Sequence, residues 1–269
     1  MRYAMPIISA ILFILLYLPL FPHLVKDWID TPDYSHGFLI PLLSLYFLWR
    51  KREELKKTVV SPAGLGVVFV LAGVAMYILG KIGYQLFLQY FSMLIVLFGL
   101  VYAETGWKMA KKTFFSIAYL IFMIPLPDLV YTTVTFHLGL FSTKLAYFFI
   151  RLLGINAGRE GNIINLPTCQ LIVAAPCSGL RSLIVLMAAS LAIGYIFQKS
   201  IAKRAALFIS SIIIAVIMNT ARLVATALFA HMLKATVVPQ AIHDRAGIVA
   251  TIVGFGILFF LNDLLAKKK

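Results

Sequence analysis

Runs of about 20 apolar residues, broken by short polar stretches, dominate the chain from residue 5 onward. Blocks of that length match the apolar thickness of a bilayer when wound as α-helix, which satisfies its backbone groups internally. The pattern predicts an all-α integral membrane protein with about eight transmembrane helices, at residues 5–24, 37–49, 64–80, 86–102, 113–127, 180–197, 205–230 and 247–266. The first run lacks a small-residue cleavage site and continues into Phe21, Pro22 and His23, so it reads as an uncleaved anchor. Residues 128–154 would upset the parity of crossings. There His137, Lys144 and Arg151 recur every seven positions, close to two helical turns, opposite Leu138, Leu145, Phe148 and Leu152. That polar stripe predicts an interfacial helix on the outer face. In residues 155–175, turn formers such as Asn156, Gly158, Gly161, Asn162 and Pro167 separate β-prone pieces at 162–166 and 170–174, predicting a small extramembrane hairpin.

Composition excludes a soluble globular protein. Of 269 residues, 62% are hydrophobic and 13% charged, about half the usual charged fraction of about 25%. The chain has room for a single polytopic membrane domain over residues 1–269 and for chemistry only in short loops or within the bundle. The net charge of +14 changes the picture through its placement. Arg2, the basic clusters within 50–57, 108–112 and 199–204, and Lys267 to Lys269 hold 15 of the 24 Lys and Arg residues, all on the side of the amino terminus. Both termini are therefore expected in the cytoplasm, the protein in the cytoplasmic (inner) membrane, and the remaining polar residues on the exterior or periplasmic face. Such an excess reports topology, and no nucleic-acid partner is expected.

Candidate chemistry gathers on that outer face. Cys177, in Pro176-Cys177-Ser178-Gly179, precedes a helix beginning near Leu180. The positive end of that helix favours a thiolate, and the N–H groups of Ser178 and Gly179 are placed to receive an oxyanion. A disulfide to Cys169 is the alternative, and the spacing leaves both open. His243, in the 231–245 loop at the outer end of the last span, is a candidate base for the thiol or a plain surface histidine. Arg222 puts a guanidinium inside an otherwise apolar helix, with Asn219 three residues earlier on the same face; a buried membrane cation marks function unless it snorkels to the interface. Arg181 lies one turn past Cys177, as a thiolate partner or an interface anchor. His36 is a second candidate base, in a stretch where Ser35 or Asp33 is also expected to cap a helix. No Walker loop, paired zinc-type cysteines, dinucleotide fingerprint or His-Glu-x-x-His is present, so neither a metal nor another cofactor is expected.

Tyr34-Ser35-His36-Gly37-Phe38-Leu39-Ile40-Pro41, Met123-Ile124-Pro125-Leu126-Pro127, Arg159-Glu160-Gly161-Asn162, Cys177-Ser178-Gly179-Leu180-Arg181, Asn219-Thr220-Ala221-Arg222 and His243-Asp244-Arg245-Ala246-Gly247 follow one another along the chain. In that order the chain resembles the exosortases and their archaeal relatives the archaeosortases, multi-pass membrane cysteine transpeptidases. Pro176 departs from the pattern, standing where a small residue is more usual. The resemblance implies Cys177 as nucleophile, His243 as acid/base partner, and Arg222 as the cation that steadies the thiolate or the tetrahedral intermediate. It implies protein substrates held in membrane lipid by a C-terminal sorting signal, made of a Pro-Glu-Pro type motif, a transmembrane helix and a basic tail. The resemblance also suggests coupling to surface polysaccharide or lipid, and leaves the acceptor nucleophile open. If that motif carries a glutamate, Arg159, Arg181 and Arg245 are its expected partners, because Arg pairs carboxylates bidentately. A transporter or polysaccharide export component, with Arg222, His243 and Lys144 along a path and Cys177 incidental, is the competing class; it predicts that Cys177→Ala keeps function.

Overall fold

Glycine spacing decides how the first long helices pack. The computed structural model describes residues 4–174, 177–234 and 240–267, without the side chains of residues 4 and 240–244. By packing, the chain forms two compact units, Met1–Pro127 and Asp128–Lys269.

In the first unit, α1 (Ala4–Tyr17) leads through a 3₁₀ turn into α2 (Phe21–Asp30), and the 3₁₀ segment Pro32–Phe38 into α3 (Leu39–Arg50) and the short α4 (Arg52–Lys56). The helices α5 (Leu65–Ile82) and α6 (Leu86–Thr105) form an antiparallel pair. Gly66, Gly73 and Gly80, seven residues apart on one face of α5, lie so close to α6 that a Cβ on any of them would overlap Ala103, Val96 or Gln89. Small residues permit such backbone approach where lipid removes the hydrophobic drive for helices to associate. The unit ends with α7 (Trp107–Tyr119) and a 3₁₀ turn, Leu120–Met123, that stops before Pro125 and Pro127.

The break at 120–127 is held by side chains. Trp28 Nε1 donates to the Met123 carbonyl at 2.8 Å, and the Leu126 N–H donates to Tyr34 Oη at 3.2 Å. His36 Nε2 lies 3.0 Å from the Phe122 carbonyl, so this nitrogen carries the proton. The indole of Trp28 fills the space where Gly37 lacks a Cβ. Two of the sequence's motif stretches, 34–41 and 123–127, are thus one corner. Ser35 and Asp33 do not cap α3. Ser35 Oγ turns back to the Pro32 carbonyl at 2.9 Å, and the Leu39 N–H is taken by the His36 carbonyl, because the 3₁₀ segment runs directly into the helix.

The second unit comprises α8 (Asp128–Leu152), strands β1 (Gly158–Glu160), β2 (Ile163–Asn165) and β3 (Gln170–Ile172), and helices α9 (Leu180–Phe197), α10 (Ile201–Met232) and α11 (Gln240–Lys267). The expected hairpin is a three-stranded antiparallel sheet of order β1-β2-β3, pairing Arg159 with Ile164 and Ile164 with Leu171. The added strand, β1, is fully exposed, so it carries no alternation to read. The long helix α10 contacts α8, α9 and α11. Leu186, Ile193, Leu207, Ile214 and Leu258 form one core, and a second core lies under the sheet.

Among the described residues, six helical segments are long and apolar enough to cross a membrane, and up to seven if Trp107–Met123 and α8 count as one further span. This is an all-α integral membrane architecture. The expected spans at 37–49 and 113–127 appear as α-helices of only 12 and 13 residues, roughly 18–20 Å each. Their 3₁₀ neighbours lengthen them, at about 2 Å per residue, toward the ~30 Å apolar thickness. In α8 the packed face is Thr135, Gly139, Ser142, Thr143, Ala146 and Ile150, not the large apolar residues opposite the cationic stripe. His137, Lys144, Arg151, Phe148 and Leu152 are all exposed, because small residues let α8 approach α10 closely.

Candidate functional site

Cys177 sits where the sheet hands the chain to α9. Its N–H donates to the Ala174 carbonyl at 2.8 Å, and its side chain is buried among Leu166 and Leu171 of the sheet region and Leu223 and Ala227 of α10. No disulfide joins it to Cys169, which lies in the same core; of the two readings of the spacing, the structure holds reduced thiols. Ser178 Oγ accepts the Leu180 N–H at 3.3 Å, and Ser182 Oγ donates to the Gly179 carbonyl at 2.9 Å, so the start of α9 is bound by its own hydroxyls.

Asn219 of α10 organises this corner. It is 3% exposed, and its Nδ2 donates to the Ser178 carbonyl at 3.0 Å, the Cys177 carbonyl at 3.3 Å and Ser142 Oγ at 3.0 Å. Two carbonyls facing one atom identify it as the amide nitrogen. Ser142 of α8 adds a donation to the Ser178 carbonyl at 3.3 Å. Gly179 is required twice over: its φ is +92°, and a Cβ would come within 2.6 Å of Asn219 Cγ. A trans peptide holds its C=O and N–H antiparallel, so carbonyls aimed at Asn219 turn the N–H groups of Ser178 and Gly179 away from it. On the Asn219 side there is a cavity of only about 10 Å³, lined by Ser142, Ser178, Gly179 and Leu183 among others, too small for a peptide.

Arg222 lies one turn further along α10, half-buried beside fully buried Leu223. Its Nη1 would be 3.1 Å from a Cβ on Gly247 of α11, so the guanidinium lies against the first turns of that helix. His243 stands one turn before Gly247. The structure puts this histidine inside α11, which begins at Gln240, and not in the loop expected from the sequence; the helix starts seven residues before the apolar run because its first turns need not lie in lipid. The His243 side chain is outside the described residues. One bundle end therefore joins Cys177, Asn219, Arg222 and the α11 turn that carries His243.

The remaining candidates lie elsewhere on the surface or in the other unit. Arg181 is exposed in the first turn of α9, and Arg245 is exposed in α11. Arg159 is exposed on β1, its Nη1 donating to the Gly161 carbonyl at 3.3 Å. His36 belongs to the corner of the first unit. Ser142 was missed by sequence reasoning, although Gly139, Ser142, Thr143 and Ala146 mark a small-residue helix face. Gly247 shows in the sequence only as the end of the 243–247 motif. Among the described residues, no three His, Cys, Asp or Glu side chains gather to hold a metal.

A family model described as transmembrane exosortase (Exosortase_EpsH) matches residues 28–260, and the chain belongs to that family. No curated protein and no solved structure matches. Membership carries a general role as a multi-pass membrane transpeptidase acting on proteins with sorting signals.

Proposed function

We propose that this protein is a membrane-embedded cysteine transpeptidase, or protease where water is the acceptor, that removes the C-terminal sorting signal of secreted proteins through an acyl-enzyme. The single observation that carries the reading is the Asn219 clamp on the Cys177 and Ser178 carbonyls. It serves no helix of its own and holds a thiol-bearing turn in one geometry beside Arg222. A merely packed cysteine has no need of that arrangement.

The chemistry follows from the parts. His243 takes the Cys177 proton, and the sulfur attacks the scissile carbonyl carbon, forming a C–S bond while the carbonyl electrons move to oxygen. The Gly179 N–H and the Arg222 guanidinium receive that developing charge. Collapse expels the amine of the C-terminal tail, protonated by His243, and leaves a thioester. An acceptor amine, or water, gives His243 its proton, attacks the thioester and restores the thiol. Arg159, Arg181 and Arg245 are the cations offered to an acidic recognition motif; charge reversal at them should weaken processing of an acidic motif more than of its neutralised form. The site faces the exterior or periplasm, both termini face the cytoplasm, and the acceptor is linked to lipid or polysaccharide.

The test is co-expression with a sorting-signal protein, following loss of its tail by gel shift. Cys177→Ala and His243→Ala are expected to leave the tail in place, and Cys177→Ser to stop cleavage or trap an ester. Tail loss that survives Cys177→Ala would overturn the reading and favour the transport class.

A further inference from the structure

Five lysines of the first unit converge on one cleft that the transpeptidase chemistry does not use. It has a volume of about 580 Å³ and is lined by Lys51, Lys57 and Thr58 after α3 and α4, and by Lys108, Lys111 and Lys112 of α7. Two of the five build the wall. Lys112 Nζ lies 3.1 Å from a Glu54 carboxylate oxygen and donates to Thr58 Oγ1 at 3.0 Å, and Lys51 Nζ donates to the Lys112 carbonyl at 3.4 Å. The other nearby carboxylate, Glu53, is shared by Lys56 and Arg52 at 3.2 and 3.6 Å. Lys57, Lys108 and Lys111 are exposed and make no ion pair or hydrogen bond with another described residue. Lys108 and Lys111 stand three apart on one helix face, where like charges repel. A fold that collects three uncompensated ammonium groups around one concavity is shaped for an anion.

The level of the cleft identifies the anion's carrier. Trp49 at the last turn of α3 is 58% exposed, and Trp107, which opens α7, is 56% exposed. Exposed indoles at helix ends mark the headgroup stratum of a bilayer. Leu42 and Leu45 of α3, Phe114 of α7 and Ile121 of the 3₁₀ turn that follows it are exposed, as acyl-chain contact requires. We infer that this cleft binds the phosphate headgroup of one anionic phospholipid, with Lys57, Lys108 and Lys111 on the phosphate and the acyl chains against the apolar residues of α3 and α7. Under the orientation proposed above, this is the cytoplasmic leaflet, whose anionic lipids attract basic juxtamembrane segments. The inference does not depend on the catalytic reading.

The test uses the full chain purified in detergent and measures retained lipid by native mass spectrometry, and thermal unfolding, with added phosphatidylglycerol or phosphatidylcholine. Wild type is expected to keep one phosphatidylglycerol and to be stabilised by it, not by phosphatidylcholine. The triple variant Lys57→Gln/Lys108→Gln/Lys111→Gln should unfold like wild type without lipid yet retain at least fivefold less phosphatidylglycerol. A control of equal charge loss outside the cleft, Lys56→Gln/Lys199→Gln/Lys267→Gln, should bind as wild type. Equal loss in both variants would reduce the lysines to a diffuse surface charge and overturn the site. Stabilisation by inorganic phosphate matching that by phosphatidylglycerol would overturn the lipid as its ligand.

Discussion

Each unit breaks a helical path and repairs the break with side chains, but the two repairs are made of different groups. In the first, Trp28, Tyr34 and His36 bind backbone groups of residues 122–126. Three bulky rings close the corner, and no thiol lies in it. In the second, one amide, Asn219, with help from Ser142, holds the carbonyls of Cys177 and Ser178. That repair is made of small groups, includes a left-handed glycine, and leaves Asn219 Oδ1 buried without a partner among the described residues. Backbone exposed to lipid must be satisfied at any break. The same requirement can be met by bulky rings that close a corner or by small groups around a thiol-bearing turn, which under the proposed function orients the nucleophile.

The comparison breaks outright if the second corner proves to be only structural. Cys177→Ala is therefore the largest expected effect: tail processing lost altogether, with the unfolding temperature nearly unchanged, read by gel shift and thermal melt on the same preparations. Arg222→Met should follow, lowering turnover about 10²- to 10³-fold, the range for removing a group that stabilises developing charge, while Arg222→Lys recovers part. Equal turnover in both variants would remove Arg222 from the chemistry.

Asn219→Ala sharpens the contrast. It leaves the Cys177 carbonyl without its side-chain donor and the Ser178 carbonyl with Ser142 alone, a cost of about 1–3 kcal/mol in stability, and should lower kcat with little change in KM, since the thiol turn loosens while the substrate surface stays. Asn219→Asp should be worse than Ala, because a carboxylate repels both carbonyls. The smallest effect belongs to the first corner. Trp28→Phe removes one indole hydrogen bond to Met123, worth about 1 kcal/mol, and should lower the unfolding temperature slightly while processing by the folded protein continues at the wild-type rate.

Much of the architecture was legible as hydrophobic run length. The long helices α5, α6, α9 and α10 fall close to their expected positions because ~20 apolar residues in sequence already state a bilayer's thickness. The short α3 and α7 read as spans because their own residues are largely apolar, and in α7 because the 3₁₀ turn that follows, Leu-Ile-Phe-Met at 120–123, is apolar too. Strand β1 was missed because all three residues are exposed and show no alternation. In the site, Cys177, Asn219, Arg222 and His243 stood out as polar or reactive groups at the ends of apolar runs, but Ser142 did not; a serine on a helix is unremarkable until its partner across the interface is known.

By itself, then, the sequence determined the membrane class, the main spans and the reactive residue types, since hydropathy and chemical identity are local properties. Only the tertiary structure decided that motifs 34–41 and 123–127 form one corner, that Cys177 remains a thiol beside Cys169, that Asn219 serves backbone carbonyls 41 and 42 residues away, and that five separated lysines share a cleft. Those are long-range juxtapositions. They depend on how closely the Trp28 and Asn219 side chains approach Gly37 and Gly179 and how closely α8 packs along its small-residue face, and those distances are properties of packed helices, not of any stretch of chain.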